Sequence, residues 1–544
     1  MRRFCAYIIC LPIILFPILS PGLSWGLASN NIPLDSPIYT YMDKLSGFGL
    51  INSDIHGLKP YSKAEAARLV LEAQGNLKKM GPHAPELARE IVSRLCYLLP
   101  REIDLYRREG KAPTFDYNPL SGARLRYVYL DGIPRSYDRL ISDTGHQGIF
   151  GIGDLRKYFV PVMRAGGSEG TPMMENNDGI VYREHNNFEL RADSEFYFTR
   201  YCSALVEPLT LVSGVNIGGP GPHTNLEINK GYVKLGGHGL ELEVGKDENW
   251  FGQGYRGDLV LTNNAENLEE IKLSSPEPVD WPWFKRNIGL LKYAVIFSRL
   301  SKSGEGEDMR KPWFAAAKIS LKPTKNLEIG VNYSRQQGGP NVVEPGIFKA
   351  VFSVGQSNNG SNSLAGTEIR YRINWLRGTT VYWEYYGEDS YVVIPIVESH
   401  LAGIYIPRLT ADGRNDFRFE FFYGNPIAYT DYKFPEGYTN NGLIMGDAQG
   451  GDTKDYYGKF THYFTLRNNL SLDYFHTERG WVGRVGGKGA PEEIDGGRIC
   501  WTLPLCRDWD ALINYGYEYV RNFDLEPGKD RQDNLLRLDI DYRY

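Results

Sequence analysis

Beyond its N-terminus the sequence has no run of 18 apolar residues. That excludes a protein that crosses a membrane with several helices. Cysteine is scarce: six in 544 residues, with no C-x-x-C pair. Nine histidines are scattered without metal-ligand spacing, so neither a metal centre nor a cofactor is expected. No basic block occurs, and 61 Lys and Arg face 66 Asp and Glu for a net charge of −5. Nucleic acid is therefore not an expected partner.

The one long apolar stretch, Phe4 to Leu19, follows Arg2 and Arg3. Pro12 and Pro17 interrupt it, and Gly26-Leu27-Ala28 fits a small-residue cleavage site. Residues 1–28 are predicted to be a secretory signal peptide, which implies export. What is abundant is tyrosine (37) and glycine (60), in a chain of mean hydropathy −0.39.

From residue 29 to 115 the apolar period is helical. Ser36 stands as an N-cap before Pro37, and Ser62 with Glu65 forms a capping box. A longer helix after Ala84 is expected to break near Pro100. This segment is expected to be a small periplasmic helical bundle.

From residue 116 to 544 the period is two. In "GTEIRYRINW", Ile369, Tyr371, Ile373 and Trp375 alternate with Glu368, Arg370, Arg372 and Asn374. In "RNDFRFEFFY", Phe417, Phe419, Phe421 and Tyr423 alternate with Asp416, Arg418 and Glu420. A soluble sandwich also alternates. Here, however, the polar face carries both signs of charge on strand after strand, and the apolar face is aromatic. That pattern suits a transmembrane outer-membrane β-barrel with a polar lumen and aromatic girdles. Eighteen antiparallel strands are counted, one of them starting near residue 147 and none between about 247 and 287. On that count the segment from Trp250 to about Phe284 lies at the periplasmic side or folds into the lumen.

Several motifs invite sharper readings. "WFGQGYRGDLVLTNNA" holds a literal G-x-G-x-x-G at Gly252, Gly254 and Gly257. The alternating strands around it and the lack of a βαβ unit argue against a dinucleotide fingerprint. Glycines that allow turns and close backbone approach are expected instead. "GGSEG" (Gly166–Gly170) lacks the following helix of a nucleophile elbow. The pairs Glu388-Asp389 and Glu492-Glu493 were weighed as glycosidase carboxylates against loop charges or lumen ion pairs. Cys500 and Cys506 flank a turn and are candidates for a disulfide, with two unpaired thiols as the alternative. The long loops carry Tyr429, Tyr432, Tyr438, Asn440, Asp447, Asp452, Arg479, Trp481 and Arg484. Exposed rings stack on sugars and the polar groups bond hydroxyls, so these residues are expected carbohydrate contacts.

The chain resembles the Wzi capsule assembly proteins. "IPLDSPIYTYMDKLSGFGLI" is similar to the family's first helix. Trp250, Gly252, Gly254, Asn263, Asn264 and Ala265 match its W-G-P-G…L-L-L-S-N-N-A block, with Gln253 in place of Pro and Thr262 in place of Ser. "LEIGVNYSRQQGG" (327–339), "GED" (387–389) and "GYTNNGLIMGDAQGGDT" (437–453) match further blocks. The resemblance implies an outer-membrane barrel of eighteen strands with a periplasmic helical bundle that organises capsular or exopolysaccharide, lectin-like and non-catalytic; polar lumen residues and long loops are expected to fill the barrel. The alternatives are a porin-like oligosaccharide channel and a glycan-modifying enzyme. Expected partners are the polysaccharide, outer-membrane lipid and capsule export machinery, with the protein a monomer.

Overall fold

The computed structural model describes residues 27–543, apart from 108–113, 142–162, 216–222, 238, 280–281, 303–308, 340–359, 389–396, 432–433 and 481–488. All but the last two residues of the predicted signal peptide lie outside the described residues. Four helices come first: α1 (Pro37–Gly47), α2 (Lys63–Met80), α3 (Glu86–Leu98) and α4 (Pro100–Arg107). The caps are as expected. Ser36 Oγ accepts the Ile38 N–H, and Ser62 Oγ accepts the Glu65 N–H. Pro100 separates α3 from α4.

Eighteen antiparallel strands then close a barrel. They are β1 (Asp116–Asp131), β2 (His185–Thr199), β3 (Cys202–Val215), β4 (His223–Gly237), β5 (Leu240–Asp247) and β6 (Leu268–Ser274). Next come β7 (Leu290–Arg299), β8 (Trp313–Lys322), β9 (Leu327–Gln337), β10 (Ser361–Ile373), β11 (Thr379–Glu388) and β12 (Val397–Ile406). The last six are β13 (Asn415–Gly424), β14 (Thr453–Tyr463), β15 (Asn469–Arg479), β16 (Glu492–Pro504), β17 (Trp509–Arg521) and β18 (Arg531–Arg543). β18 pairs with β1 from Gly122↔Arg543 to Asp131↔Asn534, so no edge is left at the closure.

The wall is inside out relative to a soluble protein. Ile369 is 40% exposed and Glu368 only 2%. The same alternation turns Leu538 and Ile540 outward and Asp539 and Asp541 inward. An apolar outer band of this kind is stable against lipid, not water. Trp375, Phe464, Trp501 and Trp509 are exposed beside the short turns and form an aromatic girdle at that end.

The barrel has the eighteen strands expected, but one of them stands elsewhere in the chain. β1 pairs directly with β2, so no wall strand starts near residue 147, a position outside the described residues. Strands Arg135–Ile141 and Met163–Gly170 instead pair with each other, and Met163–Gly170 also pairs with Leu443–Ile444 in a separate small sheet. The unrecognised wall strand is β6, seven residues that include Glu269, Glu270 and Lys272. Adding it before β7 reverses the parity. Residues 248–267 therefore leave the wall at the long-loop end, not at the short-turn end.

The helices dock on the short-turn end. Lys44 Nζ bonds the carbonyls of Pro407 and Gly413 and pairs with Asp416 at 2.8 Å. Tyr97 bonds Asp508, and Glu90 accepts the Leu466 N–H. The segment is not free-standing, as its flanks enter the barrel. Asn31 Nδ2 donates to Glu243 and Asp247 of β5, and Lys322 of β8 pairs with Asp54 at 2.6 Å.

Among the described residues no disulfide forms, and Cys500 and Cys506 are both free. Cys500 lies within β16, and extended backbone carries Pro504 about 13 Å beyond it before the turn begins. A disulfide needs Cα atoms within roughly 7 Å.

Candidate functional site

Among the described residues the segments inside the lumen include 29–62, 171–184, 248–267, 425–431 and 434–452. What holds them is a set of wall carboxylates. Glu328 on β9 accepts the backbone N–H groups of His56 and Gly57 at 3.0 and 2.8 Å. Glu384 on β11 accepts those of Gln253 and Gly254 at 2.6 and 2.9 Å. Glu420 on β13 accepts those of Tyr255 and Arg256 at 2.6 and 2.8 Å. The Gly-rich loop is thus an anion nest, but the anions are side chains of its own barrel. A buried carboxylate that gains two N–H donors has much of its desolvation cost offset.

The glycines serve close approach. None of Gly252, Gly254 and Gly257 is among the residues with left-handed φ. A methyl at Gly252 would overlap the Asp258 carboxylate, and one at Gly257 the Asp447 carboxylate. Gln253 adds two further bonds: its Nε2 donates to Glu328 and Glu368, both at 2.9 Å. Arg256 grips both oxygens of Asp455 at 2.8 and 2.7 Å and Glu175 at 2.8 Å.

The sequence blocks that carry the family resemblance converge here. Thr262 bonds the carbonyls of Met445 and Gly446, and Asn264 bonds that of Ile444. Asn332 on β9 bonds the Phe251 carbonyl, and Glu388 on β11 accepts the Tyr429 N–H. Asn263 bonds Asp178, while Trp250 bridges to Lys59. No single block shows this from sequence. Together they encode a plug and the wall that holds it.

The expected carbohydrate contacts are placed differently from a sugar-stacking surface. Tyr429 and Tyr438 are buried and stacked on each other, with ring centroids 5.9 Å apart. Tyr429 Oη donates to the Leu259 carbonyl and Tyr438 Oη to Ser334. Asn440 bonds the Glu266 carbonyl, and Arg479 pairs with Glu169 at 2.6 Å. Asp447 and Asp452 are buried as well. Burial pushes the Asp447 carboxyl up to about 8. Exposure was expected because the loop is polar, and the lumen it enters is equally polar. Tyr432, Trp481 and Arg484 lie outside the described residues.

The other motifs are also structural. Ser168 lies in a strand that ends at Gly170 and is followed by a turn, and its Oγ accepts the Gly170 N–H. Glu492 pairs with Arg479 and Glu493 with Arg521, while Asp389 lies outside the described residues. Among the described residues no cluster fit for a metal ion occurs.

Between the plug and the inner faces of β12–β18, with Arg126 of β1 and Arg191 of β2, remains a cavity of about 480 Å³. Sequence reasoning missed it, because it is a gap between segments far apart in the chain: Asp35, Lys59, Trp250, Arg418 and Asn514 all line it.

A family model described as capsule assembly protein Wzi matches residues 156–535. Among solved structures, Escherichia coli Wzi is similar at 16% identity, covering 95% of this chain and 99% of its own, with a TM-score of 0.65. It is described as an outer-membrane, carbohydrate-binding β-barrel involved in group 1 capsule assembly. Pseudomonas aeruginosa OprD covers 79% of this chain and 96% of its own at 10% identity, with a TM-score of 0.42 that carries no argument. No curated protein sequence matches.

Proposed function

The chain belongs to the capsule assembly protein Wzi family, and on that premise we propose that it is an outer-membrane barrel that binds capsular or extracellular polysaccharide at the cell surface. It holds the glycan there without altering it chemically. Residues 1–28 are the export signal, residues 29–115 face the periplasm and residues 116–544 form the wall. The apolar outer band and the girdle beside the short turns support this placement. Its partners are the glycan and membrane lipid, with the export machinery approaching from the short-turn side, and it acts as a monomer.

The observation that carries this reading is that the family blocks meet inside the barrel and plug it. A plugged barrel with long outer loops favours a binding platform over a channel. Glu388, Glu492 and Glu493 are engaged by the protein's own donors, which favours binding over hydrolysis. The buried set Tyr429, Tyr438, Asn440, Asp447, Asp452 and Arg479 positions the outer loops. Tyr432, Trp481 and Arg484 are the proposed contacts.

Capsule retained on cells with and without the gene is the test. Loss of surface-attached glycan without the gene, at unchanged total synthesis, is the expected result. Equal attachment in both would refute the reading. A steady large conductance of the pure protein in planar bilayers would favour the channel instead.

A further inference from the structure

The lumen cavity has an unused cation. The other cationic side chains lining it are ion-paired: Arg418 with Asp43 at 3.1 Å, Arg498 with Glu175 at 2.8 Å and Arg543 with Asp541 at 3.1 Å are examples. Lys59 is the exception, since no carboxylate lies within ion-pairing distance of its Nζ among the described residues. Two aromatic faces flank it, with Trp250 5.4 Å and Tyr39 5.7 Å from the Nζ to the ring centroid. Burial lowers the Lys59 pKa, opposed in part by Asp43. Lys59 is half-buried at the cavity wall, and a cation without a counter-ion in so confined a space favours an anion beside it.

Two further polar groups lining the same cavity lack partners. Trp250 is only 6% exposed, and its indole N–H has no acceptor. On the wall opposite, Asn514 is 9% exposed and its Oδ1 has no donor. A cation between flat aromatic faces, one free donor and one free acceptor, in a space within the roughly 300–1,000 Å³ range of small-ligand sites, suit a compact hydroxylated anion. Aromatic faces take the C–H face of a sugar ring, while an inorganic anion gains nothing from them.

We infer that this cavity is a second glycan site, inside the lumen, that takes a carboxylated sugar residue with its carboxylate on Lys59 and its ring against Trp250 and Tyr39. The assignment rests on the glycan-binding reading above and gives it a location and a charge preference.

The test uses the full chain in detergent, titrated with methyl β-D-glucuronide, methyl β-D-glucoside and inorganic phosphate. Intrinsic tryptophan fluorescence reports occupancy. The wild type is expected to bind the glucuronide about tenfold more tightly than the glucoside, as a charge-assisted hydrogen bond allows. Lys59→Met should bind the two alike, Lys59→Arg should keep the preference, and phosphate should not compete. No preference in the wild type, a preference that survives Lys59→Met, or displacement by equimolar phosphate would each overturn the site. Should Lys59→Met not fold, Trp250→Phe keeps the ring and removes the donor. It is expected to weaken both glycosides severalfold, and unchanged binding overturns the site. Capsule retention separates the two claims. Retention without glucuronide preference refutes the cavity and leaves the function. Lys59-dependent binding without any effect of the gene on retention refutes the function and leaves the cavity.

Discussion

Replacing Arg256 by Met tests how the plug is seated. The guanidinium makes two bonds to Asp455 and one to Glu175, and lies 4.5 Å from the Phe475 ring centroid. Methionine keeps most of the volume and removes the charge, leaving Asp455 without its cation and Glu175 with Arg498 alone. Breaking a buried ion pair costs about 3–5 kcal/mol. Taking about 3 kcal/mol, because the cavity admits water, the opening equilibrium of the loop shifts by roughly 150-fold at about 1.4 kcal/mol per tenfold. The cost falls on the loop, since wall hydrogen bonds do not pass through Arg256. Hydrogen exchange of the protein in micelles reads it directly. The amides of Gln253 and Gly254 rest on Glu384, and those of Tyr255 and Arg256 on Glu420. These four should exchange about 100-fold faster in Arg256→Met, while amides of β9–β13 are unchanged. Arg256→Lys should recover only part, because one ammonium cannot make the forked contact. Exchange at the four amides within about threefold of wild type would refute the claim that this ion cluster holds the plug.

Gly257→Ala places a methyl on the Asp447 carboxylate, so protease cleavage within both 250–266 and 437–453 should accelerate at least tenfold, whereas cleavage in one alone would refute their mutual support. The Asp447 carboxyl, raised by burial from 3.8 to about 8, stabilises the closed loop fully below about pH 4 and loses that contribution as pH rises through 8. Exchange of the 437–453 amides should therefore rise from pH 6 to pH 9 beyond the intrinsic rate, and Asp447→Asn should flatten the trend. Lys44→Met removes a buried ion pair and two carbonyl bonds at the helix dock, so trypsin should release the helical segment earlier while the barrel keeps its heat-modifiable gel mobility. Maleimide should label Cys506 in the folded protein, and reductant should leave the gel mobility unchanged, because the thiols are free.

The wall was legible because its physics is periodic. Residues 368–375 and 416–421 alternate without exception, and both charge signs on the inner face distinguish a lumen from bulk water. The helix caps at Ser36 and Ser62 were legible because each is a local bond. β6 was not, since seven residues with three adjacent or alternating charges read as a loop. The burial of Tyr429 and Tyr438 was not legible either. A segment folding into a polar lumen needs the same residues as one facing solvent, so composition cannot tell them apart. The close approach served by Gly252 and Gly257 becomes intelligible only once Asp258 and Asp447 are placed beside them.

The carboxylate seats have a consequence for how the molecule is made. The loop 248–267 precedes every strand that supplies its seats, for Glu384 and Glu420 come more than a hundred residues later. The stretch 29–62 is equally early, yet its partners reach to Glu328 and Asp416. Neither can settle while the wall is incomplete. A chain that ended before β13 would therefore have no Glu420 to receive the Tyr255 and Arg256 amides, and its Gly-rich loop would leave those two donors to water. The early segments thus depend on the late strands, so the plug and the far wall of the barrel are one cooperative unit.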